Sequence, residues 1–207
     1  MRALPFFLIA GAALAQSPRV VYSKSFPGSM PAYVKTIVNK DGNCEFTDIV
    51  NDEQPMKFKL TGAETNTIFE LAAKLDFFKK PLESGLKVAN MGAKSFRWED
   101  GKDQNEAKFN YSTEPDAQLL LDWFEKITES ELSLINLEKT ARFDKLGVYN
   151  ALLQLEVAWD KKRIVAPEQF LKMLDRVAKN EAYLHMARDR AARLTEVIRG
   201  PAPKKAE

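Results

Sequence analysis

Residues 32–50 read AYVKTIVNKDGNCEFTDIV. Asp41-Gly42 stands between two runs rich in β-branched and aromatic residues. It predicts a hairpin, because Gly takes positive φ without steric cost and Asp tolerates it. With those two as a two-residue turn, Ile37 faces Phe46, Thr36 faces Thr47, Val34 faces Ile49 and Tyr33 faces Val50. Lys35 then meets Asp48, an opposite-charge cross-strand pair. This register is preferred to a longer loop with a bulge at Gly42, which pairs Val38 with Cys44.

Upstream, Val20 to Phe26 alternates weakly and reads as an edge strand, and Pro27-Gly28 and Pro31 turn the chain into the hairpin. Downstream, Met56, Phe58 and Leu60 alternate with Lys57 and Lys59, a half-buried third strand. Thr61 and Glu64 form a T-x-x-E capping box that opens a helix with Ile68, Leu71, Ala72, Leu75 and Phe78 on its apolar face. Leu86 and Val88 suggest a short strand. Phe96 and Trp98 begin a second hairpin that returns through Ala107, Phe109 and Tyr111, with an acidic, polar tip at 99–106.

From Thr113 the pattern is helical to residue 199. Leu120, Leu121, Phe124 and Ile127 make one stripe. It shifts at Thr128-x-x-Glu131 to Leu134, Leu137 and Ala141, which fits two helices or one kinked helix. Val148–Lys162 follows, then a helix from Pro167 with Phe170, Leu174 and Val177 inward. Asn180 is expected to cap the last helix, whose seam is Leu184, Ala187, Ala191, Leu194 and Ile198. The predicted fold class is α+β: an N-terminal antiparallel sheet of two hairpins with a packed helix, then a bundle or stack of about five helices. The expected division is 1–15 signal peptide, 16–128 α+β domain, 129–199 helical region and 200–207 disordered tail.

Pro31-Ala32-Tyr33, the Asp41-Gly42 hairpin, the third strand and the Thr-capped helix resemble small exported bacterial domains of unknown function, over residues 27–80. Those domains often carry Cys before the proline, where this chain has Met30. The resemblance implies a small exported domain, and the family has no established activity to carry over. The last two helices, especially AYLHMARDRAARLTEVI at 182–198, are similar to HEAT-type helical repeats.

Arg2, an apolar run from Ala3 to Leu14 and the A-x-A site Ala13-Leu14-Ala15 read as a secretory signal peptide cleaved after Ala15, so the expected location is periplasmic or extracellular. No later stretch is apolar enough to span a bilayer. The one cysteine, Cys44, has no internal disulfide partner, so stability rests on packing. Net charge is +2 but uneven. Residues 161–207 hold 12 Lys/Arg against 6 Asp/Glu, and residues 1–160 hold 19 against 23. Export argues against nucleic acid as the partner, and the basic C-terminal region argues for an anionic protein or envelope component.

Sites of known chemistry are sparse. Ser84-x-x-Lys87 matches S-x-x-K without the K-T-G and S-x-N elements that serine–lysine enzymes need. His185, the single histidine, lies four residues from Glu181 and from Asp189, an i,i+4 charge ladder rather than a metal set. The tip at 99–106 lacks calcium-loop spacing. Neither C-x-x-C nor a glycine-rich phosphate loop occurs, so no cofactor is expected. Two surfaces are candidates. One is a basic face of Arg176, Lys179, Arg188, Arg190 and Arg193. The other is a groove lined by Arg97, Trp98 and Tyr111. The expectation is an exported, non-catalytic binding or protein-interaction protein. The alternative is an extracytoplasmic hydrolase using a carboxylate pair.

Overall fold

The computed structural model describes residues 17–200. The predicted signal peptide at 1–15 and the tail at 201–207 lie outside the described residues. Strands β1 (Arg19–Ser25), β2 (Tyr33–Asn39), β3 (Asn43–Thr47), β4 (Met56–Lys59), β5 (Ala93–Asp100) and β6 (Asp103–Phe109) form one antiparallel sheet in the order β4-β3-β2-β1-β5-β6. Helices α1 (Gly62–Lys74) and α2 (Pro115–Phe143) pack with it, and α3 (Val148–Asp160), α4 (Leu171–Ala178) and α5 (His185–Arg199) complete an α+β fold.

The first hairpin forms, with the other register. Thr36 faces Phe46, Ile37 faces Glu45 and Val38 faces Cys44. A one-residue slip exchanges the faces of a strand. Val34, Thr36 and Val38 are buried on β2, as are Cys44 and Phe46 on β3. The preferred register set half-exposed Ile37 against buried Phe46. The turn therefore spans Lys40-Asp41-Gly42, with Gly42 at φ +85°. A Cβ there would stand 2.9 Å from the Leu60 carbonyl oxygen and 3.1 Å from Thr65 Oγ1. The glycine is thus fixed by its backbone conformation and by the close approach of the α1 N-terminus.

β1 is central rather than an edge strand. The second hairpin docks on its free side, so β1 pairs with both β2 and β5. Val20 and Tyr22 point into the core, and Tyr22 stacks on Phe124 of α2 with ring centroids 4.9 Å apart. Asn105 stands opposite Trp98. Residues 86–88 form no strand, and Leu86 and Val88 are exposed.

α1 opens as expected. Thr61 Oγ1 accepts from the Glu64 backbone N–H, and the Glu64 carboxylate accepts from the Thr61 N–H at 2.8 Å. Its apolar residues join β-strand residues and Ala117, Leu120, Phe124 and Ile127 of α2 in one core. Fully burying such a side chain contributes about 1.5–3 kcal/mol. α2 then continues unbroken through residues 128–131, one helix rather than two. The Thr128 hydroxyl, instead of capping a new helix, donates to the Phe124 carbonyl. The second half of α2 supplies Leu134, Leu137 and Ala141 to a second core with α3, α4 and α5. Between the two cores, buried Ser130 and Glu131 face the segment 161–170, where Ser130 Oγ accepts from the Val165 N–H at 2.9 Å.

In the last helix Ala187, Ala191 and Leu194 are buried. Leu184 is not part of the seam: it is the N-cap residue and 46% exposed. Asn180 does not cap the helix. Its side chain accepts from the Ala182 N–H in the preceding turn. No helix of the described residues is long and apolar enough to cross a membrane.

Candidate functional site

The second half of α2 and the start of α4 diverge on the outside and leave a cleft of about 640 Å³. α2 contributes Lys139 and Arg142, spaced i,i+3. The α4 side contributes Lys172 and Arg176, spaced i,i+4. Residues at those spacings are neighbours on a helix surface, and like charges there repel. All four side chains are exposed, and none forms an ion pair within 4.0 Å among the described residues. Arg142 lies over the ring of Phe143, 5.0 Å from its centroid. Ile135, Phe143 and Met173 supply the apolar part of the cleft, and Phe143 is 72% exposed. Glu138 is the one carboxylate lining it.

Beneath this surface lies Glu131, fully buried between the two cores. Its Oε1 accepts from Gln169 Nε2 at 2.8 Å, and Gln169 lines the cleft. Its Oε2 has no hydrogen-bond partner. Burial pushes the Glu131 carboxyl up to about 7, against the smaller opposing effect of the Gln169 hydrogen bond, and the nearby Glu138 charge adds to the rise. The cleft therefore rests on an acid held largely neutral at mildly acidic pH.

The five residues of the predicted basic face separate in the structure. Arg176 enters the cleft. Lys179 is exposed at the C-terminal end of α4 and outside the cleft lining. Arg190 turns toward α3, where it pairs with Glu156, donates to the Tyr149 hydroxyl at 3.2 Å and lies over the Tyr149 ring. Arg193 comes within 3.9 Å of the same Glu156. Arg188 is half-buried, with Nε shielded and unpartnered. The seam of α5 packs on α3 and α4, which brings Arg190 and Arg193 to the Glu156 carboxylate.

The predicted groove does not assemble. Arg97 and Trp98 are neighbours on β5 and so point to opposite faces. Arg97 pairs with Glu99 on the outer face. Trp98 packs in the core against Phe69 and Phe77, with centroids 5.8 and 4.5 Å away. Tyr111 follows the end of β6 and lines a separate pocket beside α2. His185 pairs with Asp189 at 3.2 Å on an exposed helical turn. Cys44 is buried and its thiol is pushed up to about 12, chiefly by burial.

Lys139, Arg142 and Lys172 were not singled out from the sequence. Their signal is the pair of like-charge repeats at helical spacing. Only the packing of α2 beside α4 shows that both repeats border one cleft. No protein-family model matches this chain, and no curated protein matches it.

Proposed function

We propose that this is an exported binding protein whose α2–α4 cleft takes an acidic, apolar-containing segment of a partner protein. The observation that carries the reading is the set Lys139, Arg142, Lys172 and Arg176: four cations around one cleft with no carboxylate among the described residues paired to any of them. Unpaired cations in a concave surface concentrate field and attract anions. Ile135, Met173 and the exposed Phe143 between those charges favour a protein segment over a purely polar polyanion, because they offer area to apolar side chains. A carboxylate-pair hydrolase needs two acids facing one another across a pocket. This cleft offers Glu138 alone, so at this cleft binding is the better reading. Export rests on the n-region, apolar run and A-x-A site of residues 1–15.

The test is fluorescence anisotropy with a labelled peptide in which Glu and Asp alternate with Leu and Phe. Binding should saturate, weaken as salt is raised, and fall by at least about tenfold on combining Arg142→Glu with Arg176→Glu. A peptide of the same charge without Leu and Phe should bind more weakly. Equal binding of a sulfated polysaccharide would replace the protein segment by an envelope polyanion. Undiminished peptide binding by the double variant would remove the cleft from the account.

A further inference from the structure

β1 and β5 place two lysines directly opposite each other, Lys24 and Lys94. Like charges at directly opposed positions destabilise a sheet. These two also sit on the wrong face for exposed charges. Lys24 is two residues from Tyr22, and Lys94 two residues from Phe96, so both share the face that packs under α2. Charged side chains at core-facing strand positions are errors of patterning unless they serve a function.

The space above them is a pocket of about 430 Å³, closed by the ends of β1 and β6, the segment 90–91 and the first half of α2. Phe26, Met91, Tyr111 and Leu121 form its apolar part. Lys94 is 6% exposed. Its ammonium donates to the carbonyl oxygens of Asn110 at 2.6 Å, Met91 at 3.2 Å and Gly92 at 3.4 Å. Those carbonyls fix its position but carry no formal charge. Glu125 and Glu83 act on it through space, and neither comes within 4.0 Å. Burial and the adjacent Lys24 ammonium push the Lys94 ammonium down. The pocket thus has an apolar body and one end with two cations; Glu125 is the one carboxylate that lines it, and it forms no ion pair within 4.0 Å with Lys24 or Lys94. That is the arrangement in which a single anionic group on an apolar molecule is recognised.

We propose that this pocket binds a small apolar monocarboxylate, its carboxylate at the Lys24–Lys94 pair and its hydrocarbon body against Phe26, Met91, Tyr111 and Leu121. The site is separate from the α2–α4 cleft and does not depend on how that cleft is used.

Octanoate is the probe, titrated calorimetrically into the full chain. Octanoate should bind at one site per chain, and octanol and octylammonium at least about tenfold more weakly, because neither carries the negative charge. Lys24→Gln should weaken octanoate about tenfold or more while the unfolding midpoint stays near that of the parent protein, since the substitution relieves a like-charge pair. Leu121→Trp, which fills the pocket, should weaken octanoate and octanol alike. Arg142→Gln and Arg176→Gln should leave octanoate binding unchanged. The proposal is overturned by absent saturable octanoate binding, by octylammonium binding as well as octanoate, or by a folded Lys24→Gln that binds octanoate like the parent.

Discussion

Two groups of basic side chains lie on the helical half and are used in opposite ways. On α5, Arg190 and Arg193 converge on Glu156 of α3, and Arg190 also holds the Tyr149 ring and hydroxyl. Around the α2–α4 cleft, Lys139, Arg142, Lys172 and Arg176 meet no carboxylate within 4.0 Å among the described residues. The surplus of positive charge in residues 161–207 is therefore not one uniform face. Arg190 and Arg193 are drawn to the docking of α5 on α3, and the cleft cations are left with charge to offer. A basic helix face in a sequence does not tell which of these it is. The distinction depends on whether the neighbouring helix brings an acid.

The largest expected effect comes from the acid that has no cation. Glu156 is matched by Arg190, whereas Glu131 is buried and unmatched. Its folded-state carboxyl is raised to about 7 against an ordinary 4.5. A raised carboxyl gives stability that is full below the unfolded value and is lost as pH climbs through the folded one. The parent protein should therefore lose roughly 3 kcal/mol relative to Glu131→Gln between about pH 4.5 and about pH 7, with no further change above. Urea unfolding of both proteins near pH 5 and near pH 8 checks this. Parallel pH curves would show that Glu131 is not the titrating group.

Next in size is Arg190→Ala. The arginine side chain is 12% exposed, so its loss strands Glu156 and the Tyr149 hydroxyl at the α3–α5 contact. A destabilisation of about 2 kcal/mol is expected, read as a lower urea midpoint. The smallest effect is at the cleft. Arg142→Gln and Arg176→Gln should each shift stability by less than about 0.5 kcal/mol, with a tendency toward stabilisation as like-charge neighbours are relieved. If Arg142→Gln cost as much as Arg190→Ala, the division between docked and free cations would fail.

Local signals were legible where the partners are close in sequence. The Thr61–Glu64 capping box, the Asp41-Gly42 turn region and the buried stripe Phe170, Leu174, Val177 are all found where their spacing placed them. The hairpin register was not legible. Optimising cross-strand pairs favoured Ile37 opposite Phe46, but Thr36 takes the core position, and Gly42 is pinned by Leu60 and Thr65 from beyond β4. Likewise α2 reads as interrupted at Thr128 because the stripe changes partner there. The helix itself is continuous, and the change marks the passage from one core to the other. Of the candidate site, Arg176 was legible as a basic residue, yet its companions on α2 depend on a tertiary contact. The Lys24–Lys94 pair left a clearer trace: Lys24 interrupts the inward series Tyr22, Lys24, Phe26 and Lys94 opens the inward series Lys94, Phe96, Trp98, each at a position on the core-facing side.

The most direct measurement is covalent footprinting of lysines with and without the acidic, Leu- and Phe-containing peptide. Amine acetylation followed by mass spectrometry reads each lysine in turn. Lys139 and Lys172 should be protected when the peptide is bound, while the exposed Lys57 and Lys108 on the sheet, outside the cleft, keep their reactivity. Protection of Lys57 and Lys108 with Lys139 and Lys172 unchanged would place the peptide elsewhere and contradict the assignment of the α2–α4 cleft.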